Sequence, residues 1–264
     1  MRSIIGMTAA AVALVGGSAF GAVIDFSTGG GSRGVVGLPL GFDFEIQADG
    51  GSWQLSQHPE AIISVTGGRF NEWIIEAAGS FGGADWDLDF TVSGVPPYSS
   101  GPSQASIASA FTVTNNNAGP AHFTVTTIHQ AFVSPGPTEI LGSHSGNVGD
   151  NPTTGNGATL SAFGGSSLYD AQIDGLSVQK LFNDPFSVSA QPFLTNSYGP
   201  SNFGWTSGQP AVFNDIRIIN DFTVSGLDNA GMTSTFIVRV PSQGSVALMA
   251  VSGLVAIRRR RTVN

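Results

Sequence analysis

The chain has no cysteine, so its four histidines, His58, His122, His129 and His144, are the side chains best suited to move a proton near neutral pH. None has metal-ligand spacing of the His-Glu-x-x-His kind. His122 and His129 are seven residues apart, which on a strand puts them on opposite faces. Gly142-Ser143-His144-Ser145-Gly146 has the outline of a nucleophile elbow, but a histidine stands where the serine should be. Gly29-Gly30-Gly31-Ser32-Arg33-Gly34 matches the glycine pattern of a dinucleotide site, yet no amphipathic helix follows, so a loop is expected. Glu72 and Glu76 would share one strand face about 13 Å apart, too far for a glycosidase acid pair.

Asp85, Asp87 and Asp89 would project from one strand face, where their repulsion needs screening by a cation or by water. Calcium would draw further oxygen ligands from loops, and elsewhere in the chain Asp150, Asn151 and Asn156 could supply some. The competing reading is a solvated edge strand whose charges discourage aggregation. Trp53, Trp73, Trp86 and Trp205 could form a carbohydrate platform, but each sits in an apolar-alternating context that favours the core. The expectation is therefore a chain with no catalytic residue, no metal site and no cofactor.

The elements that would carry these residues read as strands. Apolar residues are 41% of the 264, enough for a core, while charged residues are 11% against a usual share of about 25%. With 36 glycines and many Ser, Thr and β-branched residues, helices are disfavoured. Phe42 to Ile46 and Trp86 to Phe90 alternate apolar and acidic residues, the period-2 pattern of half-buried strands. Residues 110–114 and 122–126 flank a loop containing Gly119 and Pro120, which predicts a hairpin. Further strands are expected over 169–173, 177–182, 212–219 and 235–240. The Gly- and Pro-containing stretch from Ser134 to Gly157 reads as one long loop within a single domain. Asp89-Phe90-Thr91-Val92-Ser93-Gly94 recurs as Asp221-Phe222-Thr223-Val224-Ser225-Gly226, and recurrent strand chemistry explains this better than duplication, because the flanks do not match. Together these features predict an all-β fold, a single jelly-roll-like β-sandwich over residues 22–240.

Charge is uneven. All eighteen acids lie between Asp25 and Asp228, where only Arg33, Arg69, Lys180 and Arg217 oppose them. Such a body has no electrostatic footprint for nucleic acid. Arg2, the apolar stretch 4–20, and small Ala19 and Gly21 before Ala22 have the layout of a secretory signal peptide over 1–21. Val240 and Pro241 precede an apolar run from Val246 to Ile257, then Arg258, Arg259, Arg260 and Arg261. As a helix the 12-residue run would be about 18 Å long, short of the roughly 30 Å hydrocarbon core. The arginines should remain cytoplasmic and leave the body outside.

This order of Val-Pro motif, short apolar helix and arginine cluster over 241–264 resembles a PEP-CTERM sorting signal of Gram-negative bacteria. Ser242 and Gln243 stand where glutamate and the second proline of Pro-Glu-Pro would be. The resemblance implies passage through the export machinery and recognition by an exosortase-type membrane protease. Val240 and Pro241 would be the sorting motif, and Arg258 to Arg261 the cytoplasmic stop. The implied protein is a non-catalytic component of the cell envelope or extracellular matrix, its C-terminal span transient or retained. The alternative is a secreted carbohydrate-binding or adhesin-like module, calcium-assisted, whose partner is extracellular polysaccharide.

Overall fold

The computed structural model describes residues 42–49, 51–58, 62–67, 73–95, 104–130 and 136–241. The expected signal peptide, the Gly29–Gly34 loop, Glu72, and the apolar run and arginine cluster of the tail lie outside the described residues. Fifteen strands follow in order: β1 (Phe42–Ala48), β2 (Gly51–Gln54), β3 (Ile62–Gly67), β4 (Trp73–Gly82), β5 (Trp86–Val95), β6 (Gln104–Asn115), β7 (Ala121–Gln130), β8 (Thr138–Gly149), β9 (Ala158–Ala162), β10 (Ser167–Ile173), β11 (Leu176–Asn183), β12 (Ser187–Ala190), β13 (Thr195–Gln209), β14 (Asp215–Val224) and β15 (Asn229–Arg239). Among the described residues the only helical element is a 3-10 turn at Leu55–Gln57.

The strands form two antiparallel sheets packed as a β-sandwich. One has the order β11-β10-β14-β7-β1-β2, with β9 against the second half of β14 and β12 against β9. The other has the order β13-β8-β15-β6-β5-β4-β3. Beyond β6 most connections pass from one sheet to the other, except that β9 to β12 stay in one sheet.

Alternation sets the faces. Phe42, Phe44 and Ile46 of β1, and Trp86, Leu88 and Phe90 of β5, are buried, while Asp43, Glu45, Asp87 and Asp89 face outward. Each buried Phe contributes roughly 1.5–3 kcal/mol. The two copies of Asp-Phe-Thr-Val-Ser-Gly lie in opposite sheets. In each, the Phe is paired with the Phe of a Phe-Thr-Val-Thr strand: Phe90 with Phe111, and Phe222 with Phe123. Phe111 and Phe222 then stack between the sheets, with centroids 6.1 Å apart.

Two expectations are corrected. Strands β6 and β7 are not a hairpin, for they belong to different sheets and the chain arches across the end of the sandwich. Asn115 is fully buried there, and its Nδ2 donates to the carbonyls of Gly119, Val224 and Ser225. The inward faces of both strands continue into the shared core, so crossing buries both where a flat hairpin would not.

Half of the expected loop 134–157 is β8, an interior strand between β13 and β15. Its glycines serve packing. A Cβ on Gly142 would lie 2.5 Å from the Tyr169 hydroxyl, and one on Gly146 would lie 2.5 Å from that of Tyr198. Aromatic side chains from the adjacent β13 and from β10 of the facing sheet occupy the space that β8 leaves empty.

Candidate functional site

The histidines separate into surface and core groups, as the period of the strand requires. His122 faces outward on β7. Its Nε2 lies 2.5 Å from Asp221 Oδ1, which also accepts from the Thr124 hydroxyl at 3.1 Å, and the Phe163 ring stacks on the imidazole at 3.6 Å. His58 stacks on Trp53 at 5.1 Å. His129 points inward against the Phe42 ring, and among the described residues neither ring nitrogen has a hydrogen-bond partner. Burial lowers its pKa to about 4.

His144 has Nδ1 2.8 Å from the Ser234 hydroxyl and Nε2 3.0 Å from the Tyr198 hydroxyl. Asn220 Nδ2 completes the cluster by donating to Ser234 Oγ and to the Leu168 carbonyl. Burial lowers the His144 pKa to about 3 and raises those of Tyr169 and Tyr198. A histidine beside a serine suggests nucleophilic catalysis. Here both are sealed in the core, so the network fastens the two sheets and no substrate reaches it.

Asp85 lies just before β5, and of the three expected aspartates it is the Asp87 side chain that is put to local use. Asp87 accepts from the Gly83 amide at 3.2 Å and from Asn116 Nδ2 at 3.1 Å. The Asn116 amide donates to the Asp85 carbonyl at 2.9 Å, and Asn117 Nδ2 donates to the same oxygen at 3.3 Å. These bonds tie the start of β5 to the Asn-rich arch. Beside them lies a shallow depression of about 290 Å³ lined by Gly51, Ser52, Phe81, Gly83, Ala84, Asp85 and Trp86. Among the described residues no three His, Cys, Asp or Glu side chains cluster in a way that could hold a metal. Glu76 lies on β4.

The surface group with the richest chemistry lies where β15 ends. Trp53 and Trp86 are in the core as expected, but Trp205 is 41% exposed, which corrects the expectation for that residue. It stands on β13, where among the described residues no further strand covers the sheet edge. The Arg239 guanidinium sits 3.6 Å above its ring. Arg239 Nε also donates to Glu139 Oε2 at 2.8 Å, and Ser207 Oγ donates to Glu139 Oε1 at 3.0 Å. The hydrogen bond from Arg239 is the main reason the Glu139 carboxyl titrates below its ordinary value.

Strands β8, β13 and β15 thus converge on Arg239. Val240 and Pro241 follow at once, both half-buried and outside the ladder. Proline has no amide to donate, so the strand stops there. Sequence reasoning missed both this clamp and the His122–Asp221 pair, because their partners are about 100 residues apart in the chain and only strand register brings them together. No family model matches the chain, and no curated protein matches it.

Proposed function

We propose that this is an exported, non-catalytic β-sandwich sorted by a PEP-CTERM-like tail. An exosortase-type membrane protease would act on the tail and pass the body to the cell envelope or extracellular matrix. One observation carries the reading: the Val240-Pro241 motif, the apolar run 246–257 and Arg258 to Arg261 follow in order from a strand end clamped by Trp205 and Glu139. A rigid body ending on a defined residue would leave the remaining chain free to enter a membrane without disturbing the core. The burial of His129 and His144 and the engagement of Asp87 in local hydrogen bonds support a non-catalytic role.

Replacing Arg258 to Arg261 with neutral residues tests it. The expected outcome is loss of membrane retention or of sorting; unchanged fractionation would count against the proposal.

A second reading rests on Trp205. An exposed indole flanked by Arg239, Glu139 and Ser207 has the makings of a sugar-stacking site on a secreted carbohydrate-binding module. A glycan array, run with and without chelator, separates that reading from a purely structural one.

A further inference from the structure

The end of the sandwich opposite Arg239 contains two buried carboxylates at facing positions in the strand register. Gly149 of β8 pairs with Asn229 of β15, so Asp150 and Asp228 form the next cross-strand position just beyond the ladder. Residues directly opposed in an antiparallel pair have Cβ atoms about 4.5–5.5 Å apart. Alternation turns both side chains inward, and Asp150 is 7% exposed and Asp228 0%.

Each oxygen of Asp228 accepts one hydrogen bond: Oδ1 from the Asn151 amide at 3.2 Å, and Oδ2 from the Ser225 hydroxyl at 2.5 Å. Asp150 is half engaged. Its Oδ2 accepts from the Phe193 amide at 2.6 Å, while its Oδ1 is buried and has no partner among the described residues. Among the described residues no Arg, Lys or His side chain is paired with either carboxylate. Carboxylates at facing positions in a low-dielectric interior repel one another, and a buried carboxylate oxygen without a partner is costly.

We propose that Asp150 and Asp228 hold one calcium ion, with Asp150 Oδ1 as its primary ligand. A divalent cation would cancel the repulsion and satisfy the orphaned oxygen together. The donors are hard oxygens, and calcium accepts irregular oxygen sets at about 2.3–2.6 Å. Magnesium fits less well, because it keeps several waters in a near-ideal octahedron. Further ligands would be backbone carbonyls of the loops closing this end.

Asn151 and Asn156, candidates by sequence, are not part of this pair. Asn151 Oδ1 accepts from the Thr153 amide at 2.9 Å, and Asn156 is exposed. Asp228 takes their place. Export would supply extracellular calcium, but binding itself does not depend on the sorting proposal.

The test is calorimetric titration of CaCl2 into the chelator-stripped full chain, with thermal unfolding in parallel. The expected result is a single site with Kd of about 10⁻⁴–10⁻³ M. The thermal midpoint should rise by roughly 3–10 °C at about ten to a hundred times Kd, with a smaller rise for magnesium. Asp150→Asn should lose both effects. Asp228→Asn should weaken both, which keeps the proposal testable if Asp150→Asn does not fold, while Asp87→Asn and Asp89→Asn should retain them and so exclude the β5 aspartates. No heat and no shift in the unaltered chain would overturn the proposal, as would calcium binding that survives Asp150→Asn or disappears in Asp87→Asn.

Discussion

Replacing His129 with leucine should make the protein more stable, and increasingly so as the pH falls. The imidazole is buried at 2% exposure with both nitrogens unpartnered, so the folded state bears a desolvation cost with no compensating bond. Removing one such orphaned group is worth about 1–3 kcal/mol at neutral pH. Leucine has similar volume and can keep the contact with Phe42.

The pH dependence follows from the lowered pKa. His129 titrates near 4 in the folded chain against 6.5 when unfolded. Above 6.5 both states are neutral and it adds no pH dependence. Between 6.5 and 4 only the unfolded chain binds the proton, so each unit of acidification costs about 1.4 kcal/mol. Below about 4 the folded state is protonated as well and the loss levels off. At a pH of about 4.5 this amounts to roughly 2.7 kcal/mol, which His129→Leu would recover in addition to its neutral-pH gain.

His144→Leu should flatten the acid dependence as well, because burial holds His144 near 3. At neutral pH it should nevertheless destabilise by about 1–3 kcal/mol, because the Tyr198 hydroxyl loses its partner and Ser234 loses one of two. Urea unfolding of the three proteins at several pH values between about 7.5 and 4.5 distinguishes these cases. Parallel stability curves for the unaltered chain and His129→Leu, or a loss of stability in His129→Leu at neutral pH, would refute the reasoning.

Two further outcomes are expected. Gly226→Ala should lower stability by about 1–3 kcal/mol in thermal denaturation, because its Cβ would lie 2.2 Å from the Ala118 carbonyl oxygen in the arch. Gly164→Ala, with nothing within 4 Å, should be near neutral, and equal midpoints for the two variants would remove the steric explanation. Trp205→Ala should speed tryptic cleavage after Arg239, since it takes away the ring beneath the guanidinium; an unchanged rate by mass spectrometry would mean that the stacking does not restrain the strand end.

How legible the molecule was depends on whether local pattern or distant partner decides each element. Strands β1 and β5 were readable because strict alternation of aromatic and acidic residues admits one buried face. Strand β8 was not, because Gly142 and Gly146 look like loop residues until Tyr169, Tyr198 and Phe203 are seen filling the space above them. The arch between β6 and β7 was misread as a hairpin because loop length alone does not reveal that Asn115 will satisfy carbonyls of the distant β14 end. Trp205 and Asp228 illustrate the same limit. The first is exposed because its strand is an edge, and the second becomes a neighbour of Asp150 only through the register of β15 on β8.

The central claim is that the body is exported and released or retained through its tail. The most direct measurement is the intact mass of the protein recovered from the cell envelope and medium of its native host. The account predicts a mass lacking residues 1–21 and the segment that follows about Val240. A mass that still includes Arg258 to Arg261 would contradict proteolytic sorting, and a chain that also keeps residues 1–21 would contradict export.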